Sequence, residues 1–212
     1  VYSVDLVESP ILTALGLGVS ISESTPCFII DIGGGSTNIA AVSLDGVIAG
    51  VNVNMGGRNI DAMIMKHIEE YFNLKIGTLT AESVKIRIGS LFENDGTRLV
   101  VSGRDLTSGK PRSISVCSQD VIFPIKAFYD KLFEVVDIVL GKLPAEVSAE
   151  VRRSGVYFSG GSSKIPGLDV YFKEKMAIKA NIGDDPEIAT VLGGGMIAGN
   201  KSLLKKIKII KK

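Results

Sequence analysis

An α/β fold, layered around a mixed sheet, is what the amino-acid sequence predicts, and three observations carry it. Two apolar, β-branched runs at 27–32 and 39–44 flank a turn of three glycines. Further strand-like runs then alternate with segments of helical period. With 212 residues and 45% apolar content, the chain has room for one domain of ordinary size or one domain with a sizeable insertion.

Taken in order, the chain opens directly in a strand-like run at 1–7, on Val1 rather than Met, as a cut through a larger protein would. Ser9 and Pro10 then suit the N-cap and first position of a short helix through Leu17, with Gly16 and Gly18 at its exit. The glycine hairpin follows, and a third strand over 47–54 runs into Gly56 and Gly57. From there Ile60, Met63, Ile64, Ile68 and Phe72 recur at helical spacing. Another helix opens at Thr80 and reaches about Phe92. Two alternating strands at 97–101 and 112–116 make a small hairpin, joined by a polar, glycine-punctuated connection at 102–111. A long helix spans 118–141 with Pro124 in its early turns, and a second helical segment covers 145–153. A strand at 155–158, a helix at 168–176, a short strand at 180–182 and a glycine-rich helix at 190–198 complete the lobe.

Charge and cysteine usage exclude more than they select. Lys plus Arg (24) nearly balances Asp plus Glu (23), so no global field argues for nucleic acid, and no nucleic-acid partner is expected. Cys27 and Cys117 lie far apart in apolar runs and read as small buried residues of a reducing compartment. His67, the single histidine, sits in a helical pattern without ligand spacing and reads as a helix-surface residue. No run has the length of a membrane span and no signal-peptide plan is present, so a cytoplasmic location is expected.

The chemistry concentrates at the first turn. Gly33, Gly34 and Gly35 let backbone N–H groups face outward without a Cβ in the way, which makes a nest for an anion such as phosphate. Asp31, at the end of the preceding strand, is placed to hold a hydrated Mg²⁺ accompanying nucleotide phosphates. A glycine hairpin with a solvated aspartate is the competing reading of those residues alone. A second small-residue turn, Gly160, Gly161, Ser162 and Ser163, follows a strand and repeats the same physics. Glu82 and Lys85 share a helical face, where they suit either a ribose and a base or a plain surface ion pair.

In sequence order, these pieces resemble the second half of the MreB family, the bacterial actins of rod-shape determination. The likeness runs through Asp31-Ile-Gly-Gly-Gly-Ser36, Gly56-Gly-Arg-Asn-Ile-Asp61, Thr80-Ala-Glu-Ser-Val-Lys85, Gly103-Arg-Asp-Leu-Thr-Ser-Gly-Lys-Pro111, Ser159-Gly-Gly-Ser-Ser163, and Asp185-Pro186 before Gly193-Gly-Gly195. It covers roughly residues 4–200. The resemblance implies an actin-like ATPase (ribonuclease H-like) lobe at 1–57 and 126–200, with a smaller α+β insertion at 58–125. It implies ATP or ADP with Mg²⁺ as cofactors, bound by Asp31, Gly33, Gly34, Gly35 and Ser36. Glu82, Ser83, Val84 and Lys85 match the adenosine site, and Gly160, Gly161, Ser162 and Ser163 the opposite wall.

Three departures bear on catalysis. Where the family carries an acidic residue before the helix proline, this chain has Ser9, with Glu8 one residue early. Ser36 stands in place of a usual Thr and Asn38 in place of a common Glu. A serine is no general base at neutral pH, and losing such a base costs roughly 10² to 10⁴ in rate. The expected function is an ATP-binding, polymerising cytoskeletal protein determining cell shape, with hydrolysis slow or lost. The alternatives are a nucleotide-holding subunit that co-assembles with catalytic paralogues, and an actin-fold small-molecule kinase. The tail at 201–212 carries six lysines, with Leu203, Leu204, Ile207 and Ile210 on one helical face. It reads either as a contact for the inner membrane surface, peripheral at the cytoplasmic face, or as a solvated terminus.

Overall fold

A computed structural model describes residues 5–20, 25–43, 46–93 and 96–207. Its main sheet has the order β3-β2-β1-β7-β8, from β1 (Cys27–Ile32), β2 (Thr37–Ser43), β3 (Gly46–Val53), β7 (Val156–Ser159) and β8 (Ala180–Ile182). The first three strands are antiparallel, whereas β1–β7 and β7–β8 are parallel. The sheet is therefore mixed, as predicted. Alternation along β1 sorts its residues: Phe28, Ile30 and Ile32 enter one core, and Cys27 and Ile29 the other. Asp31 follows Cys27 and Ile29 in the period of two, so it lies on their face.

Each face is covered by helices. On the first, Phe128, Leu132 and Val136 of α4 (Ser118–Leu140) and Phe172 of α6 (Leu168–Met176) pack into the larger core. On the second, α1 (Ser9–Gly16) contributes Ile11 and Ala14, and α7 (Ala189–Gly199) contributes Ile197. A second sheet, β4-β5-β6, joins β4 (Leu74–Lys75), β5 (Arg98–Asp105) and β6 (Pro111–Cys117), accompanied by α2 (Gly57–Phe72) and α3 (Thr78–Ile88). The remaining helices are α5 (Ala145–Ser154) and α8 (Lys201–Lys206). The second sheet falls within 58–125, and α4 runs unbroken through position 125.

Several sequence expectations need correction. Residues 5–8 form no strand, because no neighbouring strand pairs with them; residues 1–4 lie outside the described residues. Glu8, not Ser9, is the N-cap of α1, and Ser9 is already helical. β5 continues to Asp105 through residues that read as loop, since β6 and β4 both pair with it. The helix expected from Thr80 to Phe92 instead spans Thr78–Ile88. Cys27 is buried and its thiol is pushed up to about 12 by burial, whereas Cys117 is only half-buried at the start of α4; both are free.

The tail is corrected as well. α8 turns Leu203 and Leu204 onto the second core and buries Ile207 there, so this apolar face is occupied by the lobe. Ile210, Lys208, Lys211 and Lys212 lie outside the described residues. No described helix is long and apolar enough to cross a membrane.

Candidate functional site

The glycine turn closes as a tight hairpin. Gly33 N donates to Ser36 O at 2.9 Å, leaving Gly34 and Gly35 exposed at the tip. The start of α2 backs the turn, with Gly57 N donating to Gly33 O (2.9 Å) and Arg58 N to Gly34 O (2.8 Å). A Cβ on Gly34 would meet nothing within 4 Å. The open side of the turn is thus free backbone, which suits an anion. A Cβ on Gly35 would stand 3.9 Å from the Arg58 guanidinium, so a cation flanks the same tip. Ser36 is half-buried beneath it.

Asp31 lies just below. It is half-buried, and Thr190 Oγ1 donates to its Oδ2 at 3.4 Å. Burial pushes the carboxyl above the usual range, while the hydroxyls of Thr190, Ser159 and Thr13 pull it back. Gly160 makes this possible: its φ is +83°, and a Cβ there would fall 2.9 Å from Asp31 Oδ1 and 2.2 Å from Ile32 O. Among the described residues no cationic side chain pairs with Asp31. Nor, among them, do three or more His, Cys, Asp or Glu cluster to hold a metal unaided. A desolvated carboxylate that none of the described cations pairs, beside a turn of exposed backbone, has the chemistry that suits a divalent cation.

The wall opposite is built by the turn after β7. Gly161–Lys164 forms a 3-10 turn, and Tyr129 of α4, fully buried, donates its hydroxyl to Ser162 O at 2.6 Å. Ser163 Oγ donates to Gly160 O at 2.7 Å, and Ser159 Oγ to Pro186 O at 2.8 Å. Ser162 and Ser163 are buried, so their side chains shape the wall while Gly161 is exposed. Between this wall and α3 opens a cavity of about 360 Å³, lined by Lys85, Ile86, Gly161, Ser162, Lys164, Ile165, Pro166 and Glu187. A Cβ on Gly57 would lie 2.9 Å from Ser162 Oγ and 3.1 Å from Lys85 Nζ. Three motifs, the outer two about a hundred positions apart in sequence, therefore meet at one point.

The α3 residues divide unequally. Lys85 Nζ sits 2.8 Å from Asp61 Oδ1 and donates to Gly57 O at 3.2 Å, so its partner is Asp61 rather than Glu82. Lys85 also lines the cavity. Glu82 is exposed, Ser83 half-buried, and Val84 fully buried in the larger core. Ile86, 72% exposed, supplies the apolar surface that sequence reasoning assigned to its neighbours.

The Glu8 carboxylate is bonded away from Asp31, and Ser9 meets the Asp31 surroundings through its backbone oxygen, which accepts from Thr13 Oγ1 at 3.0 Å. Glu8 Oε2 accepts from Val47 N at 3.4 Å. By register, Val47 opposes Val42, and Val42 opposes Cys27, at the end of the sheet away from Asp31. The α1 residue that reaches Asp31 is Thr13, with Thr190 of α7. Asp61, Thr13, Thr190, Arg58 and Tyr129 were missed as site residues; the signal available was a hydroxyl inside each of two otherwise apolar helices.

Comparison with known proteins is consistent with this geometry. The family model described as MreB/Mbl protein matches residues 2–206. The cell shape-determining protein Mbl of Bacillus cereus is 31% identical over 205 residues, covering 96% of this chain and 62% of that protein. The cell shape-determining protein MreB of Escherichia coli is 32% identical over 191 residues, covering 90% and 55%. The chain thus spans somewhat over half the length of these curated relatives. Among solved structures, MreB5 of Spiroplasma citri bound to ADP superposes with a TM-score of 0.88 at 29% identity, covering 93% of this chain and 60% of that one. The MamK double helical filament, at a TM-score of 0.75 and 24% identity over 92% of this chain and 59% of that one, shares the fold. With its actin-like fold, its ordered glycine turns and a family match along nearly its whole length, the chain belongs to the MreB/Mbl protein family.

Proposed function

We propose that this chain is one lobe of an ATP-binding bacterial actin that polymerises into cytoskeletal filaments determining cell shape. The observation that supports the reading is a chain of close approaches: Gly160 beside Asp31, the start of α2 against both the glycine turn and Lys85, and a cavity between α3 and the 160–163 turn. MreB5 of Spiroplasma citri is solved with ADP and with AMPPNP, which supports a nucleotide here. Gly33, Gly34, Gly35 and Ser36 receive the phosphates, with Arg58 beside them. Asp31 would hold a Mg²⁺, whose charge would offset that of the phosphates. Lys85, Ile86 and Pro166 flank the base, and Gly161 leaves room for it.

Hydrolysis is slow in this reading. Ser9 carries no carboxylate, and that of Glu8 is engaged by Val47. That engagement favours a second reading, a nucleotide-holding subunit that co-assembles with catalytic paralogues; a small-molecule kinase has less behind it, as no described group serves as its base. On full-length protein, ATP-dependent sedimentation with little phosphate release supports the first reading. Sedimentation that requires a paralogue supports the second, and no nucleotide binding by calorimetry overturns both. Changing Ser9 to Glu tests the register, with a rise in turnover expected. Attachment to the inner membrane face, and hence a peripheral cytoplasmic location, rests on the tail lysines alone, because the apolar face of α8 is taken. Removing residues 208–212 should then abolish pelleting with anionic vesicles.

A further inference from the structure

Helices α1 and α7 cross backbone against backbone. A Cβ at Gly16 would lie 1.7 Å from Ala189 O, and one at Gly193 would lie 1.8 Å from Leu12 O. So close a crossing admits only small side chains between the helices. Thr13 and Thr190 sit in it with their hydroxyl oxygens 2.8 Å apart, Thr13 wholly buried. Both interrupt apolar runs, where a valine would pack equally well, so their hydroxyls need an explanation.

Counting protons supplies one. Thr190 Oγ1 lies 3.4 Å from Asp31 Oδ2, and Thr13 Oγ1 lies 3.0 Å from Ser9 O as well as beside Thr190. Two hydroxyl protons therefore face three acceptors: Asp31, Ser9 O and the other hydroxyl. When Asp31 is ionised, a bond to the carboxylate is the strongest of these. Thr190 then donates to Asp31 and Thr13 donates to Thr190, leaving Ser9 O to its ordinary helical partner. The order Thr13 to Thr190 to Asp31 fixes where the carboxylate points from the helix crossing, in addition to the Ser159 hydroxyl on the neighbouring strand of the sheet.

We propose that Thr13 and Thr190 are positioning residues: a two-hydroxyl relay that aims the Asp31 carboxylate at its cation and ties that aim to the α1–α7 crossing. The proposal rests on the reading of Asp31 as the Mg²⁺-holding carboxylate. Outer groups of this kind typically change metal affinity by roughly 10- to 100-fold.

The test is nucleotide affinity of the full-length protein by calorimetry, in Mg²⁺ and again in EDTA, for wild type, Thr13→Val, Thr190→Val, Thr13→Ser and the double valine variant. Valine keeps the volume and removes only the hydroxyl; melting temperature is read alongside. The relay predicts that either valine variant loses roughly 10-fold in affinity with Mg²⁺ and nothing in EDTA. Thr13→Ser should restore the Mg²⁺ increment, and the double variant should be no worse than the single Thr190 change. Equal losses in Mg²⁺ and in EDTA, or an unchanged Mg²⁺ increment in both valine variants, would overturn the relay and leave the nucleotide reading standing. A wild-type protein with no Mg²⁺ increment would remove the reading itself, and the relay with it.

Discussion

Two aspartates, Asp31 and Asp105, end strands beside glycine-containing turns, and both belong to motifs prominent in the sequence. Their surroundings are opposite. Asp105 is consumed by its own turn: its Oδ1 accepts from Thr107 N (3.0 Å), Ser108 N (2.7 Å) and Ser108 Oγ (3.0 Å), and Arg112 Nε lies 3.1 Å from Oδ2. The backbone and hydroxyl of Ser108 lead in holding its carboxyl below the usual range, with Arg112 adding to them. Arg112 in turn donates to Phe72 O, so this motif pins the end of α2. Among the described residues Asp31 has no local donor of this kind and no cation; its hydroxyl partners come from two helices and a neighbouring strand, and burial holds its carboxyl above the usual range. A carboxylate satisfied by its own turn is a structural joint. One desolvated without a counter-ion is prepared for a ligand that brings positive charge.

The largest effect that sharpens this contrast is on binding. Asp31→Ala should lower Mg²⁺-dependent nucleotide affinity by about 100-fold or more, beyond what an outer group contributes, measured by calorimetry on the full-length protein. The nucleotide-free protein should behave in the opposite sense. Because the folded carboxyl is raised, its favourable contribution is present below the unfolded value of about 3.9 and is lost as pH rises through the folded one. Asp31→Asn should therefore melt no lower than wild type at neutral pH. A marked drop in its melting temperature would place Asp31 with Asp105 as a structural residue.

Next comes the wall of the cleft. Tyr129→Phe leaves Ser162 O unpaired in a buried site, at a cost of about 1 to 3 kcal/mol. The melting temperature should fall by roughly 3 to 10 °C, with nucleotide affinity falling too as the 3-10 turn loosens. Loss of stability with affinity unchanged would show that the wall holds its shape without the tyrosine.

Asp105→Asn should give a smaller effect, confined to stability and leaving nucleotide affinity as it was. Its lowered carboxyl contributes above the unfolded value of about 3.9, and that contribution is lost as pH falls through the folded one. Acid unfolding followed by circular dichroism should show wild type and variant differing at neutral pH and converging in strong acid. The smallest effect is expected at Glu8: Glu8→Ala should leave any ATP turnover within about twofold, since this carboxylate is bonded at the far end of the sheet. Abolished turnover in that variant would mean that α1 moves to bring Glu8 into the cleft.

What the sequence by itself determined is local. Apolar β-branched runs around Gly33, Gly34 and Gly35 dictate a hairpin whatever surrounds it, and the bounds of α6 and β8 follow from their own periodicity. The order of the motifs, with the Gly103–Pro111 piece among them, identified the family. The tertiary structure decided which polar groups meet. Lys85 takes Asp61 because the start of α2 packs against α3, a fact that helical spacing to Glu82 hid. Residues 102–105 are strand because β4 and β6 pair with them, although their composition reads as loop. Leu203, Leu204 and Ile207 meet the lobe, because the second core offers them a dry place. Thr13, Thr190 and Asp31 meet because alternation along β1 turns Asp31 toward the α1–α7 crossing, where small residues bring distant parts of the chain within hydrogen-bond reach. Such partners lie far apart along the chain, and only the packing of whole elements sets their distance.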